Sequence, residues 1–203
     1  MSNPHADLFR ADPLMAHLVA QASPLPDTLP SRPIYNALLS SIISQQLSVK
    51  AAATIKARLW ALFPQQEPTP DLLLQTTPED LRAVGISGQK ARYLKSVAQH
   101  KLDGLLEDED LAHLPDEDLI TRLTHIKGIG RWTAEMILMF TLHRPDVMPV
   151  DDLGIYNAMK RLYGLTEPHK TARKEMQALS ELWRPHRTLA CRYLWQSLNN
   201  APA

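Results

Sequence analysis

The sequence predicts an all-α protein. Apolar residues recur at helical spacing almost throughout its 203 residues, alternating β patterns are scarce, and the sixteen prolines fall mostly between the periodic segments. In chain order, helices are expected at about 12–22, 33–45, 49–62, 78–83, 89–100, 116–124, 132–142, 152–162, 168–182 and 186–199. The first two rest on the apolar repeats of "PLMAHLVA" and "IYNALLSSII". The third, "VKAAATIKARLWALF", follows Ser48, a suitable N-cap. Shorter periodic stretches, "PEDLRA", "QKARYLKSVAQH" and "DEDLITRL", precede the strongly apolar "TAEMILMF". "IYNAMKRLY" runs to Gly164, a C-terminal stop, and the last segment keeps its period through Leu189, Tyr193 and Leu194.

Length suits one large domain or two small lobes sharing a cleft. The opening "MSNPHADLFRADPLM" lacks the apolar stretch of a secretory signal, and no segment approaches the roughly 20 apolar residues of a membrane span. A soluble, cytoplasmic protein is therefore expected. The lone Cys191 excludes an internal disulfide and any four-cysteine zinc or iron–sulfur site made by this chain alone.

The 22 basic and 22 acidic residues balance, which on average speaks against a nucleic-acid partner. The charge is segregated, however. Residues 107–118, "EDEDLAHLPDED", hold seven acids and no Lys or Arg, leaving 22 cations against 15 acids elsewhere. The acidic run itself reads as a solvated linker or helix face.

"VGISGQKARYL" (84–94) and "KGIGRWTAEMIL" (127–138) both place Gly-Ile ahead of a helix, with an Ala six positions after the first Gly. Two helix-turn-helix units follow from this echo. The first carries Lys90, Arg92 and Lys95 but has Gln89 where the second has Trp132, and it reads as structural. In the second, "HIKGIGRWTAE", a Gly-Ile-Gly turn permits positive φ and close approach of another molecule. The turn opens a helix whose unpaired N–H groups suit a phosphate, and Lys127 and Arg131 flank it. Close packing alone would also use such glycines. Downstream, residues 143–150 can span about 26 Å, enough to return after a helix of about 15 Å and set Asp151 and Asp152 near the hairpin.

The hairpin followed by "PVDDLGI", with "SIISQQLSVKAAATI" before it and "WRPHRTLACRYLWQSL" after it, resembles the helix-hairpin-helix (HhH-GPD) DNA glycosylase superfamily over about residues 33–199. Within it the chain is similar to the AlkA-type alkylbase glycosylases, the 3-methyladenine DNA glycosylase II group. The resemblance implies a single glycosylase domain, residues 1–203, of two helical lobes: 36–145, containing the hairpin at 124–135, and 1–35 with 146–203. The cleft lies between them, with the hairpin at the cleft and a Pro-containing loop leading to the catalytic aspartate. With only about 30 residues ahead of the match, a compact form without the extra N-terminal domain is expected.

The family's essential aspartate stands in "D-x-x-I", nine residues before an Arg, which matches Asp152 through Ile155 and Arg161. An N-cap is the ordinary role for Asp152, and Asp151 competes for either job. Members that also cut the DNA backbone carry a hairpin lysine where this chain has Trp132, so the resemblance implies a monofunctional enzyme. Trp132 is then the base-binding residue, its face favouring a cationic alkylated purine. DNA contacts are implied for Lys127, Gly128, Ile129, Gly130, Arg131 and Thr133. Gln46 is implied as the residue that wedges into the duplex, with Gln45 as the alternative. A monovalent cation, Na+ or K+, is implied on the main-chain carbonyls of Thr124, Ile126 and Ile129; no cofactor for catalysis and no iron–sulfur cluster are expected. Arg184 and Arg187 either reach DNA or pair with acids, and Trp183, Tyr193 and Trp195 read as core.

The expected function is hydrolysis of the N-glycosidic bond of alkylated purines in double-stranded DNA, by an intracellular, DNA-associated monomer with no membrane partner. Excision of oxidised or deaminated bases, a non-enzymatic DNA-binding helix-hairpin-helix protein and a helical scaffold are the alternatives.

Overall fold

The computed structural model describes residues 3–26, 30–165 and 168–199. The chain is all-helical, with no strand among the described residues: α1 (Pro13–Gln21), α2 (Ile34–Ser44), α3 (Val49–Trp60), α4 (Pro70–Gln75), α5 (Pro78–Ala83), α6 (Gly88–Leu102), α7 (Asp108–Ala112), α8 (Asp116–Thr124), α9 (Arg131–Phe140), α10 (Leu153–Tyr163), α11 (His169–Ser180) and α12 (Arg187–Asn199). Short 3-10 turns lie at Pro4–Phe9, Pro64–Gln66 and Glu181–Trp183. Every helix expected from the periodicity is present. The sequence reading missed α4 and α7, six and five residues long, because so short a segment barely completes one apolar period. No described helix is long and apolar enough to cross a membrane.

Two local signals act as expected. Ser48 Oγ accepts the Ala51 N–H at 3.3 Å, capping α3. Gly164 sits at φ 70°, ψ 39° and donates its N–H to the Lys160 carbonyl at 2.9 Å, closing α10 with the left-handed residue that glycine alone adopts cheaply.

The chain forms two compact units, divided within α9 between Ile137 and Leu138. The first, Ser31–Ile137, is built on α6, which packs against α2 and α4 around Leu38, Leu39, Ile42, Leu73, Leu94 and Val97. The acidic run belongs here, and reading it as a solvated linker or face was incomplete. Six of its seven acids occupy the first turns of α7 and α8, at the positive ends of those helix dipoles, and Glu107 pairs with Lys101 at 2.8 Å. Pro33 has no side-chain oxygen with which to cap α2; the Asp108 carboxylate does so instead, accepting the Ile34 N–H at 3.2 Å.

The second unit comprises residues 1–30 and 138–203, with α10 against α12 and α1 beside α12. Phe9, Met15, Val19, Met159, Trp183 and Tyr193 are fully buried in it. The N-terminal segment is tied in by Asp12, which caps α1 and accepts from Tyr163 Oη at 2.6 Å and Trp183 Nε1 at 2.8 Å. Burial, and then the Asp12 carboxylate, raise the Tyr163 phenol above its ordinary pKa. Residues ahead of the sequence resemblance are therefore part of this core.

Candidate active site

The hairpin lies wholly in the first unit, between α8 and α9, and its two glycines answer to different constraints. Gly128 adopts φ +92°, and a Cβ there would stand 2.4 Å from the Tyr93 ring of α6. Gly85, its counterpart in the α5–α6 turn, has φ +98°, so the sequence echo is also an echo of backbone geometry. Gly130 has no atom within 4 Å of a Cβ position. Internal packing thus dictates Gly128, while Gly130 leaves an exposed backbone face ahead of the α9 N-terminus, where N–H groups lack helical partners.

The surrounding residues sort by exposure. Lys127 is exposed, whereas Ile129 and Thr133 are 5 % exposed, so what those two can offer outward is main chain. Arg131 has internal partners. Its guanidinium is held by Glu117 of α8, NH1 to Oε2 at 3.0 Å with NH2 on Oε1, and Nε meets Glu135 at 3.1 Å. This pairing raises the Arg131 pKa and holds the Glu117 carboxyl below its usual range. The turn's carbonyls at Thr124, Ile126 and Ile129 form a neutral donor set, suited to a monovalent ion rather than a highly charged one. Ile126 O already accepts the Ile129 N–H at 3.0 Å, which leaves its second lone pair.

Trp132 is 43 % exposed and borders a cavity of about 530 Å³ within the same unit. Met136 of α9, Ser40, Ser41 and Ser44 of α2, and the Gln45–Gln46 turn complete most of its wall, with exposed Arg32 beside it. The Ser40 and Ser44 hydroxyls donate to helix carbonyls at 2.8 and 2.9 Å, which uses their protons and leaves their oxygens as acceptors. The structure also distinguishes the two glutamines. Gln45 Nε2 donates to the Gly128 carbonyl at 3.0 Å, which engages its amide with the hairpin turn. Gln46 is exposed, at φ +58°.

The aspartate pair lies in the second unit, in the loop before α10. Asp152 caps that helix: Oδ1 accepts the Ile155 N–H at 2.7 Å and the Trp195 Nε1–H at 2.9 Å, with the residue 8 % exposed. Asp151 is exposed and paired with Arg173 at 2.7 Å. The loop is fixed further by His169, whose Nε2 lies 2.7 Å from the Val150 carbonyl while its ring stacks on Tyr156, the centroids 4.5 Å apart. Capping and a chemical role are therefore compatible for Asp152, because the bonds that fix the side chain also orient its charge.

Trp183 and Tyr193 are core, as expected, but Trp195 is not merely core: it holds Asp152 and packs against Phe140. A signal for it existed, since an indole N–H in a largely buried site requires an acceptor. Arg184 and Arg187 take the pairing alternative, Arg184 with Asp146 and with Glu181 at 2.6 Å, Arg187 with Asp146 at 2.7 Å. Sequence reasoning also missed Tyr93, Arg173 and His169, and placed Lys90 in a structural unit without its partners, because the groups they meet are distant in sequence.

Residues 39–185 match the HhH-GPD superfamily of base excision DNA repair proteins, and the chain belongs to that family. Among its relatives, DNA-3-methyladenine glycosylase 1 of Schizosaccharomyces pombe is 42 % identical over 165 residues, 80 % of this chain and 72 % of that protein. YfjP of Bacillus subtilis is 36 % identical over 171 residues, 81 % of this chain; the chain spans 59 % of its length. The fold is also that of the S. pombe 3-methyladenine DNA glycosylase Mag1 solved in complex with abasic DNA, with TM-score 0.81 and 37 % identity, covering 97 % of each chain.

Proposed function

We propose that this protein is a monofunctional DNA glycosylase that hydrolyses the N-glycosidic bond of alkylated purines, of the 3-methyladenine and 7-methylguanine type, in double-stranded DNA. It would act as an intracellular, DNA-associated monomer in base excision repair. The observation that carries this reading is the Asp152 carboxylate fixed at the head of α10, in a chain 42 % identical to a DNA-3-methyladenine glycosylase.

Alkylation at N3 or N7 makes the purine cationic and a good leaving group, so the C1′–N bond breaks toward an oxocarbenium-like sugar without a strong general acid. A carboxylate positioned at that sugar stabilises the developing charge more in the transition state than in the ground state. Asp152 fills this role and orients the attacking water. Because Ile155 and Trp195 already hold it, little reorganisation accompanies the reaction. Trp132 presents its indole face to the extruded cationic base, a contact of roughly 0.5–2 kcal/mol depending on desolvation. It stands where strand-cutting relatives carry lysine, so water rather than an amine takes the sugar.

The Gly130 backbone, the α9 N–H groups and Lys127 receive the phosphate backbone, and Gln46 fills the gap left by the base. The carbonyls of Thr124, Ile126 and Ile129 would hold a Na+ or K+ ion whose charge offsets a phosphate's.

Purified protein should release 3-methyladenine and 7-methylguanine from methylated duplex while leaving hypoxanthine and 8-oxoguanine duplexes largely intact. Preferential release of either neutral base would overturn the substrate assignment. Trp195→Phe removes one charge-assisted hydrogen bond to Asp152 and should lower kcat about tenfold with little change in KM. An unchanged kcat in single-turnover assays would remove Trp195 from the mechanism.

A further inference from the structure

Helix α2 ends at Ser44, where its last carbonyls lack intrahelical donors. Lys90, from the first hairpin's helix, supplies one: Nζ donates to the Ile43 carbonyl at 2.7 Å, and also to the Gln45 carbonyl just past the helix at 2.8 Å. The ammonium also sits at the negative end of the α2 dipole. Burial pulls its pKa below the ordinary lysine value, consistent with an inward-facing group. Gln45, held by Lys90 through its main chain, reaches with its side chain to the Gly128 carbonyl at 3.0 Å. One connected path therefore runs from Lys90 through Gln45 to the hairpin turn.

The next residue is Gln46, in the left-handed region at φ +58°. For a residue with a Cβ that conformation is disfavoured and persists where the surroundings impose it. Its exposed side chain makes no hydrogen bond among the described residues; the positive φ belongs to a tight turn that the Leu47 N–H closes on the Ser44 carbonyl at 3.2 Å. The turn is clamped from inside while its strained residue faces outward.

We propose that Lys90 is a positioning residue for nucleotide extrusion, locking the α2–α3 turn to the hairpin so that Gln46 is presented on a rigid edge. The inference rests on the glycosylase reading and on Gln46 as the wedge. A wedge that must displace a stacked base works only if its own backbone does not yield to the unstacking it opposes. Lys90 is half-buried and two of its three N–H groups are engaged, so it acts through the turn rather than on a phosphate.

The test compares Lys90→Met, Lys90→Arg and Gln46→Gly on one methylated purine placed either in a paired duplex or in an unpaired gap. Lys90→Met should lose about tenfold more release on the paired lesion than on the unpaired one. Lys90→Arg should restore most of that difference, and the salt slope of duplex binding should stay at the wild-type value. Gln46→Gly should reproduce the paired-selective loss with an unchanged or higher Tm, because glycine relieves the positive φ; this variant decides the matter should Lys90→Met fold poorly. Equal losses on both substrates, or a salt slope reduced by about one charge, would overturn the proposal. Should wild-type protein release no base from either substrate, the glycosylase reading fails separately, and 2-aminopurine emission in the bound duplex decides the inference. A rise in emission with wild type that Lys90→Met loses supports it; identical emission, or no rise at all, overturns it.

Discussion

Asp152→Asn is expected to lower base release from methylated duplex DNA by roughly 10²–10³-fold while leaving affinity for abasic duplex nearly unchanged. The substitution is isosteric, and asparagine caps helices as well as aspartate does. Its carbonyl oxygen can still accept the Ile155 and Trp195 N–H groups, which lie at 2.7 and 2.9 Å in the wild-type protein. What disappears is the negative charge, the one property that a developing sugar cation requires. Single-turnover assays read the chemical step directly, and release by the variant at the wild-type rate would remove Asp152 from the mechanism. Asp152→Ala should add a folding defect of about 1 kcal/mol by losing the cap. Asp151→Asn is the contrasting change: it breaks a surface pair with Arg173 and should cost roughly 0–1 kcal/mol of stability without abolishing release.

Gly128→Ala should destabilise the protein by on the order of 3 kcal/mol, lowering Tm by about 6–12 °C. Two costs combine. Alanine must adopt φ +92°, outside its comfortable range, and its Cβ would overlap the Tyr93 ring at 2.4 Å. The crowding atoms include Tyr93 Cβ at 2.9 Å, which cannot move without moving α6. Gly130→Ala is the paired control: its Cβ meets nothing within 4 Å, so Tm should hold while duplex binding weakens. Thermal melts beside binding isotherms separate the two, and equal Tm losses would show that both glycines serve packing alone.

The helices were legible because their signals are local. Ser48 and Gly164 act within four residues of themselves, and apolar repeats such as that of α2 need only their own segment. Legibility failed where an element was too short for a period, as in α4 and α7. It failed again where a charged side chain has two uses. Arg131 beside a Gly-rich turn reads as a phosphate contact, and nothing nearby in sequence announces Glu117, fourteen residues upstream, as its partner. Trp195, spaced like a core residue, proved to be the second donor to Asp152.

By itself the sequence determined the all-helical class, the position of every helix longer than six residues, the hairpin with its glycines, and the family to which the chain belongs. The tertiary structure alone decided which of the polar groups in those motifs are committed to internal partners. Gln45 is tied to Gly128 and Gln46 is left exposed; Asp151 is paired at the surface and Asp152 is held at a helix head; Lys90 is turned inward onto α2. The physical reason is range. Dihedral preference, capping and apolar periodicity act over a few residues, whereas a hydrogen bond or ion pair between side chains tens of residues apart exists only once packing has brought both into a common low-dielectric place.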